Sequence, residues 1–287
     1  MSNTHSKEWL LSRLSRIFSP MRLTVVTLTL VLFAGAAMAQ RTSPPSKPEL
    51  AQVTERGRQL AQYDVAAWFA TDAVVATKPE EGLVKRYIAK KEGDIWTVMF
   101  GRLNESGDKF LIAFEATQGA TPKEFTVKKH SPAKEDTGFF LSAAKAIDTS
   151  LAEFKGEQRP YNVAILPAPS NQLHVYVVPA QTQNNVFPLG GDVRYLVSAD
   201  GSKVVEKRQL HKAIIDFSFP PDSTPAAGYH IAVLDDIPED TDVFHVLSRR
   251  PSVPQYVATK QYVFFIETDG AVKYVMTTEE FRKKKGN

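Results

Sequence analysis

The residues of this chain best equipped for chemistry lie between positions 206 and 245. His211, His230 and His245 fall within 35 residues, interleaved with Asp216, Asp235, Asp236 and Asp242. Imidazole and carboxylate are what Zn²⁺ takes where no thiolate is on offer, and the chain has no cysteine. Two readings follow. His230 and Asp242 hold a metal with His211 or His245, or the three histidines are unconnected residues of neighbouring strands. The acidic run through Asp235, Asp236, Glu239, Asp240 and Asp242 could hold Ca²⁺ through oxygen ligands. It lacks the D-x-[DN]-x-[DN]-G spacing, and the other reading is a solvated loop paired with Arg249 and Arg250. Two further histidines look peripheral: His130 ends a strand, and His174 shares an outer strand face with Tyr176.

One local pattern sharpens the metal reading. Gly228-Tyr229-His230-Ile231-Ala232 is followed by Pro238-Glu239-Asp240-Thr241-Asp242. The segment resembles the metal-binding segment of the JAB/MPN metalloprotease family, in which two histidines one residue apart precede an aspartate about ten residues on. The resemblance places His230 at the first histidine and Asp242 at the aspartate. Pro254 to Val257 and the turn at Asp269-Gly270 look like the closing strands of secreted members. Ala232 stands where the second histidine belongs, and the spacing to Asp242 is one residue short. Glu206 is the nearest upstream candidate for the catalytic glutamate. With two of four key positions lost or unplaced, the resemblance implies a degenerate member. An active one would use Zn²⁺ to acidify a bound water and a carboxylate such as Glu206 to move the proton.

Other catalytic signatures are missing. The chain has no H-E-x-x-H, G-x-S-x-G, G-x-x-x-x-G-K-[ST] or G-x-G-x-x-G. Two S-x-x-K strings, Ser131 to Lys134 and Ser142 to Lys145, lack the S-D-N and K-T-G strings that accompany a serine acyl-transfer site.

The start of the chain bears on location. Met21-Arg22 precedes an uncharged run of about 14 residues, and Ala37-Met38-Ala39 closes it. A charged start, a short apolar run and an A-x-A end make a secretory signal. The run is shorter than the roughly 20 residues of a membrane span, so cleavage after Ala39 is expected, with Met21 as an alternative start. That segment holds Lys7, Arg13, Arg16 and Arg22 against Glu8, of 35 basic and 32 acidic residues in all, so the remainder balances at 31 each. A balanced chain lacks the basic footprint of a nucleic-acid binder. The Arg282 to Lys285 tail reads as a solvated helix end.

The elements that must position these residues can be sketched from pattern. Residues 40–48 are a Pro-rich tether, and 49–69 a helix interrupted by Gly57. Short β-branched and aromatic runs at 83–90, 95–100 and 110–116 form an antiparallel meander, with 124–129 as a possible fourth strand. Phe140, Ala144, Ile147, Leu151 and Phe154 make one apolar stripe of a helix over 138–154. Strands follow at 161–166, 173–178, 193–197, 203–209, 230–234, 243–247, 256–267 and 272–276, then a terminal helix at 279–285. Residues 181–185 and 188–191 read as loop, and 219–228 as irregular. The pattern predicts an α+β fold, mostly antiparallel sheet with a docked central helix and an N-terminal helix. Regions 49–135 and 136–287 are either two units, divided near 130–136, or one compact domain. The expected function is that of an exported cell-envelope protein. It binds an envelope protein, a polymer or a small ligand, without catalysis, cofactor, nucleic acid or a membrane span after signal removal. The alternative is the Zn²⁺-dependent hydrolase centred on His230 and Asp242.

Overall fold

The first helix, α1 (Lys47–Ala76), begins on a reciprocal capping box. Ser46 N donates to Glu49 Oε2 at 2.8 Å, and Glu49 N to Ser46 Oγ at 3.4 Å. The stretch read as a tether therefore ends in an S-x-x-E helix start. The computed structural model describes residues 41, 43–218 and 225–285. The expected signal and its cleavage site lie outside the described residues. Arg41–Asn287 forms one compact unit.

Four strands form the expected meander: β1 (Arg86–Glu92), β2 (Ile95–Leu103), β3 (Phe110–Gln118) and β4 (Phe125–Asp136). The stretch 130–136, considered above as a boundary, lies inside β4. From Val98 to Phe100 β2 is apolar on both faces because both faces are covered. Val98 and Phe100 pack toward α1, while Met99 packs toward α2 (Phe139–Glu153) with Ile88 and Ile112. Strand periodicity of two makes this division automatic.

Helix α2 docks between that meander and a second antiparallel sheet. Its strands are β5 (Tyr161–Pro167), β6 (Leu173–Pro179), β8 (Val193–Val197) and β9 (Val204–Gln209), in the order β5-β6-β8-β9. The buried face of α2 centres on Ala143, Ala144, Ile147 and Ser150. Phe140, Leu151 and Phe154 flank it, half-buried, so the expected stripe was turned part of the way round the helix. The strand β7 (Val186–Gly190) pairs with β10 (Ile214–Ser218) as a separate ribbon. The sequence reading placed loop over most of β7 and no strand at β10.

The last sheet runs β11 (Gly228–Ile231), β12 (Gln255–Ala258), β13 (Tyr262–Ile266), β14 (Val272–Thr277). Strands β11 and β12 are parallel, joined through α3 (Asp240–Ser248), while the other pairs are antiparallel. The expected strand at 243–247 is this helix. Val243 and Val246 are buried at helical spacing, and Asp240 and Asp242 occupy the first turn, where the helix dipole favours anions. The N-terminal signal outweighed the β-branched composition. A short helix, α4 (Thr278–Lys285), closes the chain. Among the described residues no helix is long and apolar enough to cross a membrane.

Gly57, which weakened the helix reading, is where α1 and α3 meet. A Cβ there would overlap Val243 Cβ and lie 2.6 Å from the Asp240 carbonyl oxygen. Gly57→Ala is expected to lower stability by about 1–3 kcal/mol, the range for overpacking, although alanine is the better helix former by about 1 kcal/mol. Thermal denaturation decides it. A variant melting at or above the wild type would show that the two helices are not this close.

Candidate functional site

The start of α3 carries three carboxylates into the interior. Glu239, Asp240 and Asp242 are 3 %, 0 % and 0 % exposed, so the solvated-loop reading fails from Glu239 onward, while Asp235 and Asp236 are half-buried in a loop. Glu239 N donates to Asp242 Oδ2 at 2.8 Å, fixing the first turn. Each carboxylate then faces different partners.

Asp242 meets two of the predicted histidines. His211 follows β9, and its Nε2 lies 3.1 Å from Asp242 Oδ1. The ladder brings Asp192 to the other side of the ring: Val193 pairs with Gln209, Leu210 N bonds the Asp192 carbonyl at 3.0 Å, and the Asp192 carboxylate reaches His211 Nδ1 at 2.9 Å. Both ring nitrogens of His211 therefore face carboxylate. Burial opposes its charge, but Asp192 and Asp242 outweigh burial and hold its pKa well above the usual value. His211 is an imidazolium between two carboxylates. Asp242 is held below the ordinary range: burial would raise it, and His211 and His230 more than reverse that.

His230 lies on β11, 4 % exposed, with Nε2 3.0 Å from Asp242 Oδ1 but off the line of a good hydrogen bond. Its other nitrogen contacts a side chain that sequence reasoning missed. Gln255 Nε2 is 2.9 Å from His230 Nδ1, and Gln255 Oε1 accepts from Arg249 Nη1 at 3.0 Å. Gly228, opposite Gln255 in the β11–β12 register, leaves the space this amide occupies. Arg249 is fully buried and also donates to the Val253 carbonyl. Neither of these two bonds reaches the acidic run, the pairing the sequence suggested.

His245 and Glu206 stand apart from this cluster. His245 is buried on α3 against Phe217, with ring centroids 5.1 Å apart. Burial, reinforced by the Arg249 cation, pushes its pKa well below the usual value, so the ring is neutral. Glu206 is exposed on β9 opposite Leu196, and no hydrogen bond or ion pair among the described residues ties it to the cluster. The carboxylate beside the cluster is instead Glu239. Burial and the neighbouring Asp240, Asp242 and Asp235 push it up to about 8, against the pull of Arg208, whose Nη2 is 2.6 Å from Glu239 Oε1 and 2.6 Å from Asp235 Oδ2. Asp240 is enclosed by Arg56 of α1 (2.9 Å), Arg194 of β8 (2.6 Å) and Tyr176 of β6 (2.7 Å). Tyr176 is thus buried, not a surface partner of His174. Its signal in the sequence was only an alternating strand.

His211, His230 and Asp242 present ligand atoms within 4.8 Å of one another, close enough to be tested against one metal ion. The hydrogen-bond polarity does not fit. Guanidinium only donates, so the Gln255 atom facing Arg249 is oxygen and the one facing His230 is the NH₂. His230 Nδ1 must then accept, which places the ring proton on Nε2, the nitrogen a metal would need bare. Metal-bound histidines show the reverse, donating from the outer nitrogen to an acceptor. His211, held well above its usual pKa between Asp192 and Asp242, also resists giving a ring nitrogen bare to a metal. Compared with protein-family models, curated proteins and solved structures, the chain matches none.

His211→Ala leaves Asp192 and Asp242 buried beside each other without a cation. The expected cost at pH 7 is about 3–5 kcal/mol, as for a buried pair that loses one partner. The pH dependence follows from linkage. The raised His211 pKa contributes stability that is complete below about 6.5 and is lost as pH rises through its folded value; the raised pKa of Glu239 acts in the same direction up to about 8. The lowered Asp242 pKa contributes stability above about 3.8, lost as pH falls. Urea denaturation across pH should show a plateau falling on both sides, with the alkaline fall reduced in His211→Ala. A variant as stable as the wild type would rule out the bridging imidazolium.

Proposed function

We propose that this protein is an exported, non-catalytic binding module of the cell envelope. The carrying observation is the Arg249–Gln255–His230 chain, which assigns a proton to His230 Nε2, while the His211 hydrogen bond to Asp242 anchors α3. Burial of the cluster supports the same reading, since substrate needs an approach that side chains 7 %, 4 % and 0 % exposed do not offer at His211, His230 and Asp242. Export rests on the charged start, apolar run and Ala37-Met38-Ala39 end of the leader. The partner is an envelope protein, a polymer or a small ligand.

The second reading is the Zn²⁺-dependent hydrolase of JAB/MPN type. The convergence of His211, His230 and Asp242 is what favours it. It requires Gln255 to turn its NH₂ toward the Arg249 guanidinium and His211 to surrender a proton between two carboxylates. Titration calorimetry of the tag-free protein with Zn²⁺ separates the two. The expected result is no stoichiometric binding and the same melting temperature with or without the ion, because a ligand held by the native state alone would raise it. Tight 1:1 binding, lost in both His230→Ala and Asp242→Ala, would make the hydrolase the leading reading.

A further inference from the structure

A cleft of about 410 Å³ opens where the β6–β7 connection passes α1 and α3. It is separate from the His211–His230–Asp242 cluster. At its edge stands Trp68, the most exposed aromatic side chain of the described core helices at 61 %. An exposed indole of that size is costly to leave in water. Its orientation is set, because Nε1 donates to Asp72 Oδ2 at 3.1 Å one turn along α1. Primary amides of Asn162, Gln183 and Asn184 line the same cleft, together with the Asp64 carboxyl. Gln183 and Asn184 are exposed.

The second observation is on the inner wall. His245 lines the cleft, is 2 % exposed, and its Nε2 has no hydrogen-bond partner among the described residues. A buried polar atom without a partner is uncommon and calls for an explanation.

We propose that this cleft binds a neutral saccharide, with the Trp68 indole as the stacking face and the side-chain amides pairing with ring hydroxyls. Among the described residues its lining has no lysine or arginine, which disfavours phosphate, nucleic acid and acidic sugars. Planar amides offer a donor and an acceptor side by side, the match for adjacent hydroxyl groups. An apolar wall with a few convergent polar groups is the usual make-up of a small-ligand site. The inference rests on the binding-module reading and gives it a ligand class and a place.

Trp68 also supplies the readout. The chain has three tryptophans: Trp9 falls in the expected leader, and Trp96 is buried at 9 %. The exported protein would be titrated with chitotetraose, cellotetraose and maltotetraose, followed by tryptophan fluorescence and calorimetry. Inorganic phosphate and a neutral tetrapeptide serve as comparisons. At least one saccharide should give a saturable fluorescence change. Trp68→Ala should weaken its calorimetric binding by about tenfold or more, or about 1.4 kcal/mol, with Gln183→Ala weaker than wild type and both variants melting like it. No binding of any of the three at about 10 mM would overturn the proposal, as would binding unchanged in Trp68→Ala or a response confined to phosphate or the peptide. Cleavage of a bound saccharide, seen by mass spectrometry, would instead defeat the non-catalytic reading and leave the site standing.

Discussion

The first turn of α3 carries buried negative charge, and much of the fold is arranged to meet it. An ionised carboxylate inside a protein costs several kcal/mol unless it is paired and hydrogen-bonded. Asp240 obtains Arg56, Arg194 and Tyr176, and Asp242 obtains His211 and His230; Glu239, pushed up to about 8, meets Arg208. Those partners come from α1, the second sheet, the segment after β9 and the last sheet. One nine-residue helix thus fixes where four other parts of the chain must lie. Gly57 belongs to the same constraint, since Arg56 can reach Asp240 only if α1 crosses α3 closely.

Local pattern made the meander, α2 and the hairpins around Asp200 and Asp269 legible in the sequence, because each depends on neighbours in the chain. The Ser46-x-x-Glu49 cap was equally local and was passed over in favour of proline content. The helix at 240–248 was misread because Val243, Phe244 and Val246 have strand propensity, while Asp240 and Asp242 carried the helix-start signal. His230, Asp242 and His211 were legible as a set by residue type. Their convergence was not, since it depends on β8–β9 register and on α3 linking two parallel strands. Asp192 and Gln255 gave no signal, being of types with no fixed spacing to the group they orient, and Arg249 pointed to the acidic run rather than to Gln255.

The same residue types suit a metal centre and a buried ion network. What separates them is the outer partner of each imidazole. Arg249 has only protons to offer, and through the Gln255 amide that fact reaches His230 as a requirement to accept at Nδ1. His211, between two carboxylates, is required to donate at both nitrogens. On that polarity the cluster is held by protons rather than by an ion, the reading on which the cleft beside Trp68 becomes the candidate binding surface.

The protonation of His230 is the point on which this account turns, and imidazole ¹⁵N NMR at neutral pH reads it directly. The account predicts a His230 whose Nδ1 accepts and whose Nε2 carries a proton, a His211 protonated on both nitrogens, and no change in either on adding Zn²⁺. A His230 protonated on Nδ1, whose bare Nε2 shifts with stoichiometric Zn²⁺, would contradict it.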